Sequence, residues 1–497
     1  MKKLSFPTAH SVLLIIAALV ALATWLVPAG KFEELKYDAD KKVFIHMKSD
    51  VELELPGKQK TLDSLGIKIA MSKFEDNSIK KPIGIPGSYY SRESNSQGVV
   101  AFIQSPLQGV IQAIDVILFV LILGGFIGIV HHSGAFDAGV GRLAQALKGR
   151  EQLLIIIITI LIALGGTTFG LAEETIAFYP ILVPVFIAAR YDAMVALAVI
   201  YLGSSIGTMV STVNPFSAII ASDAAGISWT TGLYGRIFML ILGTGICIWY
   251  VMRYAEKVRK DPSKSIIFAQ KEDIEAAFAV RTNEDVKFNW RISLTLLVFA
   301  ASFIIMIVGV SMLGWWYMEM TSIFFVAAVV VGVIAGIREK IFVEQFVKGA
   351  NELLNVALII GIARGIGWLM DEGAISGTLL HSASGLVEGM PEGLFVNVMM
   401  FVYAGLSFFI PSSSGLAVLS MPIMAPLADV VDVPREVVVN AYQYGMGLMA
   451  FITPTGLILA SLTMVNVTYD KWLKFVMPLL ILLTVITMLV LTVQVYM

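Results

Sequence analysis

Glu173 and Glu174 are adjacent acids inside an otherwise apolar stretch, Gly165-Gly166-Thr167-Thr168-Phe169-Gly170-Leu171-Ala172-Glu173-Glu174-Thr175. A carboxylate at bilayer depth costs roughly 2.5–3.5 kcal/mol on insertion scales, so such residues mark ligand or ion pathways. One acid could cap the N-terminus of the helix that follows, where a carboxylate favours the helix dipole. Two exceed that need and suit a cationic group. A second polar interruption, Pro411-Ser412-Ser413-Ser414-Gly415, lies in another apolar stretch. One serine suffices for an N-cap, and the remaining hydroxyls, with a helix N-terminus behind them, suit a carboxylate. Two further breaks carry Ser211-Thr212-Val213-Asn214-Pro215 and Thr453-Pro454-Thr455-Gly456. Proline removes a backbone donor and frees carbonyls above it, which together with Ser, Thr and Asn side chains can hold an ion or a substrate. The candidate ligand-binding residues are therefore Thr167, Thr168, Gly170, Glu173, Glu174, Thr175, Ser211, Thr212, Asn214, Ser412, Ser413, Ser414, Gly415, Thr453 and Thr455.

The elements that position these residues are membrane spans. Hydrophobic residues are 57% of 497 and charged residues only 14%. That charge content is well below the roughly 25% of soluble domains. Net charge is −2, which gives no sign of a nucleic-acid partner. The single cysteine, Cys247, lies in an apolar run and reads as a packing residue. Apolar runs of about twenty residues predict nine spans: 8–29, 112–131, 193–224 (broken), 233–253, 291–313, 319–337, 353–371, 433–467 (broken) and 472–496. Segments 152–190 and 393–430 read as re-entrant hairpins, too short for two full crossings around a polar tip. Residues 30–98 are charged with short alternating runs, as in Lys42-Val43-Phe44-Ile45-His46, and predict a small β-rich extracytoplasmic insertion. The mixed-charge stretch 254–290 reads as a cytoplasmic linker.

The chain is duplicated. Each hairpin carries Pro-Ile-x-x-Pro, at Pro180/Pro184 and Pro422/Pro426, an offset of 242. Gly109 matches Gly349 and Gly125 matches Gly365 at 240; Asn214-Pro215 matches Thr453-Pro454 at 239. Matching interrupted segments in two halves point to a transporter substrate site. Loop charge indicates that the copies are inverted. Residues 132–151 contain Arg142, Lys148 and Arg150, whereas 372–392 contain Glu372, Glu388 and Glu392 and no Lys or Arg. The positive-inside rule puts the first loop in the cytoplasm and the second outside. The N-terminal Met1-Lys2-Lys3 and the run that follows read as a retained span with a cytoplasmic N-terminus. The parts are then a first helix (1–29), the insertion (30–98), a first repeat (99–253), the linker (254–290), an extra span (291–313) and a second repeat (314–497). Arg364, within an apolar span, could meet a substrate carboxylate, but is rather expected to pair with a buried acid or with carbonyls at a domain contact. His131 and His132 read as a solvated helix end. There is no H-E-x-x-H, G-x-S-x-G or Walker-type loop, so neither enzyme chemistry nor ATP hydrolysis finds support.

The paired tips, the Pro-Ile-x-x-Pro signatures and the breaks at Asn214-Pro215 and Thr453-Pro454 resemble the anaerobic dicarboxylate carrier family (DcuC/YfcC-like) of the ion-transporter superfamily, and most of all its YfcC branch. The resemblance implies an all-α, inverted-repeat secondary transporter of the bacterial inner membrane, dimeric, with hairpins and broken helices moving as an elevator. It implies no cofactor beyond a possible coupling ion, sodium or a proton. The family's name suggests dicarboxylates, carried with sodium or protons. No Arg or Lys lies in either tip or either break, and Glu173 and Glu174 would repel a dianion. A zwitterion with extra positive charge, such as a basic amino acid, fits the residues better, and the resemblance to the YfcC branch implies exchange of arginine for ornithine. A channel or a non-transporting receptor is the remaining alternative.

Overall fold

The computed structural model describes residues 7–48, 51–76, 79, 81–136, 138–139, 142, 150–278, 289–313, 315–387 and 389–496. The expectations resting on Met1–Lys3, Lys148 and Glu388 fall outside them. Ten of the described helices are long and apolar enough to cross a membrane by length and composition. The chain is a multi-pass membrane protein.

Helix α1 (Ala9–Leu26) leads into the insertion. There β2 (Glu34–Asp38), β3 (Val43–Lys48), β4 (Val51–Pro56) and β5 (Ile83–Gly84) form an antiparallel sheet in the order β4-β3-β2-β5, and β1 (Gly30–Lys31) pairs with β6 (Tyr90–Ser91). In β3 the burial alternates, placing Phe44 and His46 inward. Phe44 meets Phe74 edge-to-face at 5.2 Å in a core with Leu35, Leu62 and Ile83. The edge strand β4 is exposed on most positions and carries Glu52 and Glu54, a charged edge that discourages further pairing. Two short helices, α2 (Gln59–Ser64) and α3 (Ser72–Glu75), complete the insertion.

The first repeat contains α4 (Val99–Gln112), α5 (Ile114–His132), α6 (Gln152–Phe169), a 3₁₀ turn (Glu173–Phe178) and α7 (Tyr179–Ala188). It continues through α8 (Ala193–Met209), a π turn (Pro215–Ile219), α9 (Ile220–Ala224) and α10 (Leu233–Lys260). After the short linker helix α11 (Lys271–Ala277) come α12 (Trp290–Leu313), α13 (Tyr317–Ala335) and α14 (Glu339–Glu372). The chain ends with α15 (Ser376–Val387), α16 (Glu392–Phe409), α17 (Ser413–Val430), α18 (Arg435–Ala450), α19 (Ile458–Met464) and α20 (Tyr469–Val495).

Several boundaries differ from the expectation. Helix α4 precedes the span placed at 112–131, because Gln104, Ser105, Pro106 and Gln108 break its apolar run without breaking the helix. Helix α14 extends the span at 353–371 by an amphipathic N-terminal half. The loop 372–392 contains α15. Arms α16 and α17 have 18 residues each, about 27 Å at the α-helical rise, so length alone does not make the second hairpin shorter than a bilayer. Pro422 and Pro426 lie inside α17 without ending it.

Packing between the halves is reciprocal. Helix α14 lies against α4 and α5. A Cβ on Gly109 would collide with Gly361 and Gly365, and one on Gly349 would collide with Gly124 and Gly128. The matched glycines thus each meet the other half's matched segment, which is what a two-fold axis produces. Small residues let helix backbones approach closely where lipid supplies no hydrophobic drive. The hairpins pack as α6 on α8 and α16 on α18, and α8 touches α18.

Candidate functional site

Tip 1 begins where α6 ends. Gly170 adopts φ +78, and its N–H donates to Gly166 O at 3.2 Å while Leu171 N–H donates to Gly165 O at 3.3 Å. A side chain there would strain the backbone and bring a Cβ within 2.9 Å of Asn214 Nδ2. Buried Thr167 ties the tip to the first break: Thr212 N–H donates to Thr167 Oγ1 at 2.9 Å, and Thr167 Oγ1 donates to Val210 O at 3.0 Å. Asn214 caps the π turn, accepting from Phe216 N–H at 2.8 Å, and donates to Ser211 Oγ at 3.2 Å. Glu174 Oε2 accepts from Ala172 N–H at 3.0 Å, and Thr175 Oγ1 donates to Ala172 O at 2.6 Å. Thr168 is exposed and bonded to its own helix at Leu164 O.

Tip 2 is a helix start. Ser412 caps α17, accepting from Gly415 N–H at 3.2 Å. Ser413 O accepts from Tyr442 Oη at 2.8 Å, and Ser414 Oγ accepts from Lys81 Nζ at 2.9 Å. In the second break, Thr453 and Thr455 share a hydrogen bond of 2.7 Å, and Thr455 Oγ1 donates to Phe408 O at 3.0 Å.

The tips and the second break meet around a cavity of about 200 Å³. Tip 1 contributes Ala172 and Glu173, tip 2 contributes Pro411, and the second break contributes Thr453, Thr455 and Gly456. Ser204, Ser205 and Thr208, from the last turns of α8 before the first break, line it as well, beside Tyr201. Arg364 and Ala363 enter from α14. Of the fifteen residues expected from sequence, Glu173, Thr453 and Thr455 border this cavity. Thr167, Thr168, Gly170, Glu174, Thr175, Ser211, Thr212, Asn214 and Ser412–Gly415 do not border it; their bonds and contacts hold the tips and the first break in shape. The two adjacent acids are therefore separated in role: Glu173 faces the cavity and Glu174 closes the tip backbone.

Arg364 departs from its expected pairing. Among the described residues no carboxylate lies within ion-pair distance of it, nor any base within that distance of Glu173. The cavity thus holds one acid and one base, both open to a ligand. Sequence reasoning overlooked Ser204, Ser205 and Thr208, although their spacing on an apolar helix puts 204 and 208 one turn apart, facing the same way. It could not have found Lys81, which arrives from 333 residues away. A larger groove of about 800 Å³ lies between α10, α18 and α20. Its walls are mainly apolar, including Phe238, Leu242, Ile486 and Leu489, so the smaller, charged cavity is the better seat for a polar ligand.

Interrupted helices converging on a charged cavity inside a polytopic bundle define a membrane transporter. The model of the DcuC family, C4-dicarboxylate anaerobic carrier, matches residues 6–496, and the chain belongs to that family. Over 497 residues it is 43% identical to an uncharacterized protein of Haemophilus influenzae, covering 99% of this chain and 98% of that one. It is 29% identical to the Escherichia coli K12 protein named "Putative basic amino acid antiporter YfcC", covering 95% and 93% respectively. Among solved structures, the YdaH transporter of Alcanivorax borkumensis aligns over 98% of each chain with a TM-score of 0.39 and 13% identity. The antimetabolite efflux pump MtrF of Neisseria gonorrhoeae aligns over 99% of this chain and 96% of its own with a TM-score of 0.41 and 14% identity. Both likenesses are too distant to place a ligand.

Proposed function

We propose that this protein is a secondary transporter of the bacterial cytoplasmic membrane that exchanges basic amino acids such as arginine and ornithine. The observation that carries the reading is one small cavity bordered by both Glu173 and Arg364, neither of them paired among the described residues. A basic amino acid offers the complement of each. Its guanidinium or ammonium meets Glu173 in a charge-assisted hydrogen bond, and its carboxylate meets Arg364. The name of the 29% identical relative agrees with this class of cargo.

The movement we propose is an elevator. The frame consists of α1, α4, α5 and α12–α14, and the moving body of hairpins α6–α7 and α16–α17 with the broken helices α8–α9 and α18–α19. The tips remain at mid-membrane, where their irregular backbone is covered by protein, as the lack of water at that depth requires. The N-terminus is cytoplasmic, the insertion lies outside, and the working unit is a homodimer.

A second reading has its own support. Arg364 and Lys81 bring to the tips the positive charge that the tip and break sequences lack, and the family model is named for C4-dicarboxylates. A carrier of dianions coupled to sodium or protons would use these bases for the substrate and Glu173 for the coupling cation. Proteoliposomes separate the two. Internal ornithine should drive uptake of labelled arginine, with no response to a sodium or proton gradient. Uptake of succinate on such a gradient, with arginine ignored, would replace the first reading by the second.

A further inference from the structure

Three lysines of the insertion reach the hairpin and broken-helix elements. Lys68 pairs with Asp429 at 3.0 Å, and Lys73 pairs with Asp223 at 2.9 Å. Lys81 differs, because its partner among the described residues is a hydroxyl, Ser414 Oγ at 2.9 Å, and not an acid. Its loop is fixed in place. Three residues on, Gly84 lies so close to α17 that a Cβ would come within 2.9 Å of Leu419 O. The charge it feels is another cation: Arg364 lowers the Lys81 pKa, second to burial of the ammonium. Lys81 sits on Ser414 of tip 2, and Arg364 lines the cavity beside Pro411, three residues earlier in the same tip; two bases that reach one tip gain most from an incoming anion.

We propose that Lys81, Ser414 and Arg364 form a carboxylate subsite adjoining the central cavity, so that the insertion supplies part of the binding machinery. For the identity of the ligand this rests on the amino-acid reading above; the subsite itself takes the carboxylate of an amino acid or of a dicarboxylate. Arg364 serves both spaces, since it also lines the central cavity beside Pro411 of tip 2. Lys81 keeps exposed surface while its partly covered ammonium rests on Ser414, a position from which it can meet a carboxylate entering from the side of the insertion. The two half-sites then orient a basic amino acid: carboxylate toward Lys81 and Arg364, cationic side chain toward Glu173.

Thermal-shift titrations of the purified full chain test it, using L-arginine, agmatine (the same guanidinium without a carboxylate) and succinate. Lys81→Ala should weaken L-arginine at least tenfold, change agmatine less than twofold, and leave the ligand-free melting temperature near that of the wild type. Lys81→Arg should restore L-arginine binding. L-arginine affinity unchanged within twofold in Lys81→Ala, or agmatine weakened equally, overturns the subsite. If wild type binds succinate and ignores arginine, the amino-acid reading fails; a tenfold loss of succinate in Lys81→Ala then still upholds the subsite. Absence of binding by both carboxylates to the wild type removes both.

Discussion

The two halves of the chain build opposite walls of character around one cavity. Ser204 and Thr208 of α8 and Met446 and Ala450 of α18 all line the cavity. Tip 1 presents a carboxylate, Glu173, whereas tip 2 presents Pro411 and a serine-capped helix approached by Lys81. Backbone breaks are shared, but polarity is not. The two halves share interrupted helices at the cavity, while a few side chains differ between its walls and give it a direction, which a dipolar ligand needs. The insertion deepens the asymmetry. Between α1 and α4 stand 72 intervening residues (27–98), but between α13 and α14 only 336–338, and the long connection of the first half reaches the tip of the second.

The largest expected effect tests that long connection. Lys73→Met leaves the Asp223 carboxylate, whose side chain is wholly buried, without its partner. Breaking a fully buried pair costs about 3–5 kcal/mol; the Lys73 side chain is 32% exposed, so the loss falls below that, but thermal unfolding should still show a clear drop in melting temperature. The exposed Lys68–Asp429 pair should matter far less, since such pairs contribute only about 0–1 kcal/mol and Asp429 keeps Arg435. Equal losses would mean that the insertion is not anchored through the first half's broken helix.

Next in size is the division between the acids. Glu173→Gln should weaken arginine at least tenfold, because a lost charge-assisted bond costs about 1.5–3 kcal/mol. Glu174→Gln keeps an acceptor for Ala172 N–H and should weaken binding by much less. Titration calorimetry on both variants decides it, and the reverse order would contradict the assignment of Glu173 to the cavity.

The shared scaffold predicts equality. Gly109→Val and Gly349→Val each force a side chain onto the facing backbone, and overpacking costs about 1–3 kcal/mol. Their losses in melting temperature should match; a clear inequality would break the reciprocal packing of the halves.

The smallest effect concerns the walls. Thr208→Val removes one cavity hydroxyl and should weaken arginine several-fold, for a hydrogen bond worth about 0.5–1.5 kcal/mol. Valine at Ala450, on the apolar wall, adds bulk without removing a hydrogen bond. A larger arginine-specific loss from Thr208→Val than from Ala450→Val would support the polarity difference, and equal losses would point to cavity size alone.

Much of the fold was legible because it is written in local terms. Apolar runs give the spans, since lipid admits only backbone that satisfies its own hydrogen bonds. Proline and glycine at matched offsets give the breaks and tips, since they act on their own backbone. Helix α4 was missed because glutamines and Pro106 mask a helix that buries only one face. The site was legible only as a region. Sequence marked the tips as polar but could not say that Thr167 and Thr212 bond one another across the tip and break while Glu173 faces the cavity. Which hydroxyl is spent on backbone and which is left for a ligand depends on partners 30 to 50 residues away. Arg364 and Lys81 show the limit most sharply. Each is an isolated base in its own segment, and only the packing of α14 and of the insertion brings Arg364 beside Pro411 and Lys81 onto Ser414 of the same tip. Charge is a property of the residue, but the field in a cavity is a sum over distances that the chain acquires on folding.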